Sequence, residues 1–176
     1  SPIGGDAIYN GALDNASGIA IMLETARVLA SMPQRPRRSV LFVAVTAEES
    51  GLQGSDYFVQ HPTVPREAKV ANINMDMLSL WGPTRDLTVI GLGNSELDDY
   101  AQAIATAQQR VLTPDAEPEK GFYYRSDHFN FAKQGVPAFY AEAGIDVIGK
   151  PAGYGLKMRE EYTANDYHAP QDEIKA

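Results

Sequence analysis

The residues able to do chemistry in this chain are few and mostly acidic. Two adjacent carboxylates, Glu48 and Glu49, follow an apolar run over residues 39–46. Where a chain leaves a sheet, neighbouring side chains diverge, so such a pair allows a division of labour. One carboxylate can ligate a metal while the other takes a proton from a water that the metal activates, as a hydrolytic zinc site requires. Read alone, a solvated strand end is the simpler account of the pair. Asp14 stands in Gly11-Ala12-Leu13-Asp14-Asn15-Ala16-Ser17-Gly18, just ahead of a helical pattern whose N-terminus favours an anion. An N-cap is one reading of it. The glycines and Asn15, which suit close backbone approach to a site, support the other. Asp76 interrupts the apolar stretch 73–78, where Asp is disfavoured, so it needs either a cation or a hydrogen-bond network as partner.

Histidines stand only at 61, 128 and 168 and there is no cysteine, so thiolate zinc sites, disulfides and cysteine nucleophiles are excluded together. Any metal must be held by His, Asp and Glu. His61 reads as a surface residue at a helix end, and His128 as part of the first turn of a helix with Ser126 and Asp127 as capping residues. His168 lies in a polar, aromatic stretch over 161–172 that reads as a loop, and either a ligand or an exposed loop histidine fits it there.

The elements that must position these groups alternate along the chain. A helix is expected over 16–32, with Ile19, Met22, Leu23, Ala26 and Leu29 or Ala30 near the 3.6-residue period and Pro33 closing it. Residues 39–46 form a nearly continuous apolar run, as a strand buried on both faces requires. A short helix over 55–60, strands over 70–78 and 86–90, a helix over 96–110, a helix over 126–134 capped by Ser126, and a strand over 137–141 complete the reading. This order implies an α/β fold: a mixed, mostly parallel sheet flanked by helices on both faces, with ligands beyond the carboxyl ends of the strands. At 176 residues the chain is read as one domain, 1–176.

A formal net charge of −8 argues against a nucleic-acid partner, which calls for a basic face. No stretch approaches the roughly 18 apolar residues that span a bilayer. A serine hydrolase is disfavoured because Ser126, Asp127 and His128 are consecutive and no Gly-x-Ser-x-Gly elbow occurs. The Gly91-x-Gly93 pair lacks the third glycine of a dinucleotide site.

Five ordered segments carry a family resemblance. The segment 11–18, Thr46-Ala47-Glu48-Glu49-Ser50-Gly51-Leu52-Gln53-Gly54-Ser55, Asn72-Ile73-Asn74-Met75-Asp76-Met77, Tyr124-Arg125-Ser126-Asp127-His128-Phe129 and Tyr167-His168 together resemble the M28 metallopeptidases, from about residue 10 to about 172. The resemblance implies a zinc-dependent exopeptidase-like fold and two Zn2+ ions. Asp14 would bridge them, Glu49 and His168 would ligate one, and Asp76 would ligate the other. It further implies Glu48 as general base and Tyr123 as the residue steadying the oxyanion, with Tyr124 as its rival. Ser126, Asp127 and His128 would shape the site without ligating.

The implied activity is aminopeptidase action on a peptide substrate, with a secreted or periplasmic address. The alternatives are a carboxypeptidase, dipeptidase or amide-processing relative, or a metal-free binding domain of the same fold. The family also supplies a second imidazole from a His-x-Asp motif upstream of the Asp14 segment, and none of the nine residues before Asn10 is histidine. The chain is therefore expected to be a fragment truncated at both ends, with exposed sheet edges open to self-association.

Overall fold

The structure is a computed structural model that describes residues 5, 7–78 and 80–174. Its centre is a four-stranded sheet in the order β1-β4-β2-β3, built from β1 (Asn72–Asn74), β2 (Asp86–Ile90), β3 (Val111–Pro114) and β4 (Ala138–Ala143). The β1–β4 and β2–β3 ladders are parallel and β2–β4 is antiparallel. The sheet is thus mixed, with two of its three ladders parallel, as expected.

Five helices accompany the sheet among the described residues: α1 (Ala16–Ser31), α2 (Gln53–Gln60), α3 (Leu97–Ala107), α4 (His128–Lys133) and α5 (Tyr154–Asn165). One sheet face presents Ile73, Leu87 and Phe139 to Leu97, Ala101 and Ile104 of α3. The other presents Tyr140, whose ring meets that of His128 at the start of α4, 4.9 Å between centroids. Val89, Ile90, Ala105, Phe131, Val136 and Tyr140 form the centre of the core. No helix is long and apolar enough to cross a membrane among the described residues.

Several expectations are corrected by tertiary context. Residues 39–46 form no strand, and Val40 and Leu41 are 51% and 52% exposed. An apolar run of this kind is suited to burial between two neighbouring strands, and the described residues place none beside it. The outer edge of β1 is open for the same reason. Strand β1 is shorter than the apolar stretch 70–78, because only its centre reaches β4 for hydrogen bonding. The periodic face of α1 is only partly covered: Met22, Ala26 and Leu29 are half-buried and Ile19 and Leu23 exposed, while the buried residues of the helix are Ser17 and Gly18.

Helix α4 begins at His128, not at Ser126, because the Ser126 hydroxyl is engaged elsewhere. The stretch 161–172, read as a loop, opens with the last turn of α5. That helix and β3 were not anticipated, since α5 has no apolar stripe to mark it. Helix α2 starts two residues earlier than expected, at Gln53, while β2 matches the expected bounds and β4 runs to Ala143.

Candidate metal centre

The turn that follows residues 39–46 carries Glu48 and Glu49 directly into α2. The Glu48 carbonyl accepts the Gly51 and Leu52 N–H groups at 3.0 and 2.8 Å. Buried Asn130 of α4 then ties this turn down, donating to the Leu52 carbonyl at 3.0 Å and to Ser55 Oγ at 2.8 Å. Left-handed backbone occurs at Ala47 (φ 57), Met77 (φ 50) and His168 (φ 55), next to Glu48, next to Asp76 and at the histidine itself. Non-glycine residues hold such angles only where their surroundings impose them, and functional sites are where such strain collects.

Asp14 is not the cap of α1. Asn15 is, its Oδ1 accepting the Gly18 N–H at 3.0 Å, so the Asp14 carboxylate is not spent on capping the helix. Gly18 makes this possible by contact: a Cβ there would lie 2.3 Å from the Met75 carbonyl oxygen, so the first turn of α1 can abut the exit of β1. Asp76 lies two residues past the end of β1, at the carboxyl end as expected. Its Oδ2 accepts the Ser126 hydroxyl proton at 2.5 Å, and the Asn74 amide donates to Ser126 Oγ at 2.7 Å.

The fold brings three of the four expected metal ligands to one point. Ligand-type atoms of Asp14, Glu49 and His168 lie within 4.8 Å of one another. His168 Nε2 stands 2.9 Å from Glu49 Oε2 and 3.3 Å from Asp14 Oδ2. Donors held at roughly 2.0–2.1 Å from one tetrahedral zinc are separated by about 3.3 Å, so these spacings fit a shared ion. Asp76 stands outside this trio but interacts electrostatically with Asp14 and His168.

Proton affinities show how crowded the acids are. Burial, then the charges of Asp76, Glu49 and Asp172, push the Asp14 carboxyl up to about 7. Burial, then Glu49, Asp76, Asp127 and Asp14, push Glu48 up to about 8. Burial also raises Asp76, against the opposing pull of Ser126 and His168. Like charges gathered in a partly buried site have this effect, and a divalent cation among them relieves it. The donor set therefore fits a metal of the zinc class.

Tyr123, carried by a 3-10 turn at Phe122–Tyr124, packs edge-on against His128, Tyr124 and Phe129. Gly91 makes room for its ring, since a Cβ there would meet the ring at 2.4 Å. Tyr124 is exposed. Sequence reasoning missed Asp172, whose carboxylate receives the Leu13 and Asp14 N–H groups and whose only signal was its nearness to His168 in the chain. It gave no role of its own to Tyr167 of the resembling pair Tyr167-His168, whose ring stacks on His168 at 3.7 Å. His61 caps the end of α2 and is exposed, as read.

The family model for peptidase family M28 matches residues 2–176. The chain belongs to peptidase family M28. Aminopeptidase YwaD of Bacillus subtilis (strain 168) is 33% identical over 172 residues, which cover 94% of this M28 chain and 33% of that protein. Leupeptin-inactivating enzyme 1 of Streptomyces exfoliatus is 31% identical over 146 residues, covering 80% and 31%. The solved structure of BSAP, a zinc aminopeptidase from Bacillus subtilis, superposes with a TM-score of 0.65 at 27% identity, over 93% of this M28 chain and 37% of its own. The chain thus spans about a third of the length of these relatives.

Proposed function

We propose that this chain is a catalytic portion of a zinc-dependent aminopeptidase, with residues 1–176 belonging to a single catalytic domain. The observation that carries the reading is the convergence of Glu49 and His168, from distant parts of the chain, on Asp14 beside Glu48. Asp14, Glu49 and His168 would hold one zinc ion, and Asp14 with Asp76 would contribute to a second. Bound there, the metal supplies Lewis acidity at the scissile carbonyl and lowers the pKa of a water in the site.

The chain's own residues supply the rest. Glu48 stands free of the donor trio and has a high proton affinity from burial and its acidic neighbours. It is suited to accept the proton of the attacking water and deliver it to the leaving amine. Ser126 donates to one oxygen of Asp76 and so fixes how its carboxylate is turned. Tyr123, which directly precedes the resembling segment 124–129, is assigned to the oxyanion, with Tyr124 as its rival. A peptide with a free N-terminus is the substrate class, in line with the aminopeptidase names of the relatives.

Zinc content and hydrolysis of leucine p-nitroanilide, measured on the protein and on Glu48→Gln, test the assignment. Expected is a variant that keeps its metal while turnover falls about 10²–10⁴-fold, the usual worth of a general base. Undiminished turnover in Glu48→Gln removes the base role, and a protein that takes up no zinc removes the metallopeptidase reading.

A further inference from the structure

Two polar side chains flank Asp14 without belonging to the donor set. Asp172 is 5% exposed, and its carboxylate is filled by donors: Oδ1 accepts the Leu13 N–H at 2.9 Å, and Oδ2 accepts the Asp14 N–H at 3.0 Å and the Tyr162 hydroxyl at 3.1 Å. Its carbonyl also accepts the Ala12 N–H at 3.1 Å, so three consecutive amides hang on one residue. Asp172 is in turn bonded to the turn that carries His168, through its N–H to the Ala169 carbonyl at 3.1 Å.

On the other side, Asn15 straddles Asp76. Its Nδ2 donates to the Met75 carbonyl at 3.0 Å, and its Oδ1 accepts the Met77 N–H at 3.3 Å as well as the Gly18 N–H of its own helix. Both neighbours of Asp76 are thereby tied to the neighbour of Asp14.

The choice of residue types follows from the donors. Three donors meeting two oxygens require a group that accepts at both, and a carboxylate does so where an amide presents N–H₂ at one end. A further carboxylate beside Asp14 is electrostatically unfavourable, so its worth at this place lies in geometry. Asn15 must donate on one side and accept on the other, which only an amide of that length does from the helix cap.

We infer that Asp172 and Asn15 are positioning residues that hold the two arms of the site separately. Asp172 sets Asp14 against His168, and Asn15 sets Asp14 against Asp76. Its consequence for zinc rests on the metallopeptidase reading, whereas the amide bonding pattern is independent of it.

The test compares Asp172→Asn with Asn15→Ser, serine being a good helix cap too short to span Met75 and Met77. Amide hydrogen exchange of the metal-free protein is the first readout. In Asp172→Asn one of the two oxygens becomes an N–H₂, so at least one of the Leu13 and Asp14 amides is expected to exchange about 10-fold faster or more, with Met77 changed by less than about threefold. Asn15→Ser is expected to give the reverse.

Zinc titration is the second readout. Because Asp14 would serve both ions, each variant is expected to weaken the two binding steps unequally, by about 10-fold or more at the step of its own arm, the usual effect of removing an outer partner of a ligand, and by clearly less at the other. Should Asp172→Asn not fold, Tyr162→Phe removes one bond to the same carboxylate and is expected to speed Asp14 exchange about threefold without moving Met77. Joint acceleration of the amides at 13, 14 and 77 in either variant, no acceleration in either, or equal loss of both zinc steps overturns the inference. If the parent protein takes up no zinc, the metallopeptidase reading fails, and the exchange pattern still decides whether the two arms are held separately.

Discussion

His128 is 0% exposed, lies between the rings of Tyr123 and Tyr140, and among the described residues neither ring nitrogen has a well-formed hydrogen bond. Burial holds its pKa down to about 4, against the ordinary 6.5, with the Tyr123 main chain acting in the opposite direction. The folded protein therefore keeps this imidazole neutral where the unfolded chain takes up a proton. Its contribution is fully present above pH 6.5 and is lost as the pH falls from there toward 4. Each pH unit in that window is worth about 1.4 kcal/mol, so lowering the pH from 7 to 5 is expected to destabilise the fold by about 2 kcal/mol through this residue.

Other acids titrate over the same range, so the residue's share must be read by difference. Urea denaturation at pH 7 and pH 5, with a chelator present throughout, is compared for the protein and His128→Phe. The phenylalanine keeps an aromatic ring between the two tyrosines and removes the titrating nitrogens. The parent is expected to lose about 2 kcal/mol more than the variant between the two pH values. Equal losses would refute the reasoning, because an imidazole that titrates alike in the folded and unfolded chain contributes no pH dependence.

Gly91 adopts φ +85 and faces the Tyr123 ring, so Gly91→Ala is expected to cost about 1–3 kcal/mol by denaturation and to displace that ring. An unchanged midpoint would show that the contact is slack. Asp86, 7% exposed, accepts the Ile145 and Asp146 N–H groups at 3.0 and 2.9 Å. Asp86→Ala is therefore expected to lower stability by about 1–3 kcal/mol, measured by thermal or urea unfolding, through two amides left without a partner.

Part of the candidate site was legible in the residues themselves: Glu48-Glu49 as paired acids, Asp14 ahead of a helix and Asp76 within an apolar stretch. His168 lay in a polar stretch that suits a histidine either way, and its ligand role came from the resemblance. Elements with strong periodicity or clear punctuation, such as α1 and β2, were legible too. Helix α5 was not, because a helix without an apolar stripe leaves no period to read. Residues 39–46 misled in the opposite way: their composition suits a buried strand, but a strand exists only by pairing, and pairing is a property of neighbours.

The sequence by itself determined the chemistry on offer: a cysteine-free chain with carboxylates at the ends of apolar segments and three histidines, so that any metal must be held by His, Asp and Glu. Tertiary structure alone decided which of these groups meet. Glu49 and His168 converge on Asp14 only because the turn before α2 and the turn after α5 are brought to the mouth of the same sheet. Asp14 rather than Asn15 faces Glu49 and His168, while Asn15 finds Met75 and Met77 across the fold. Asp172 looked like an ordinary polar residue in a polar stretch. Its task comes from three donors, two of them on a segment at the other end of the chain, and hydrogen bonds between segments so distant in sequence leave no local pattern to read.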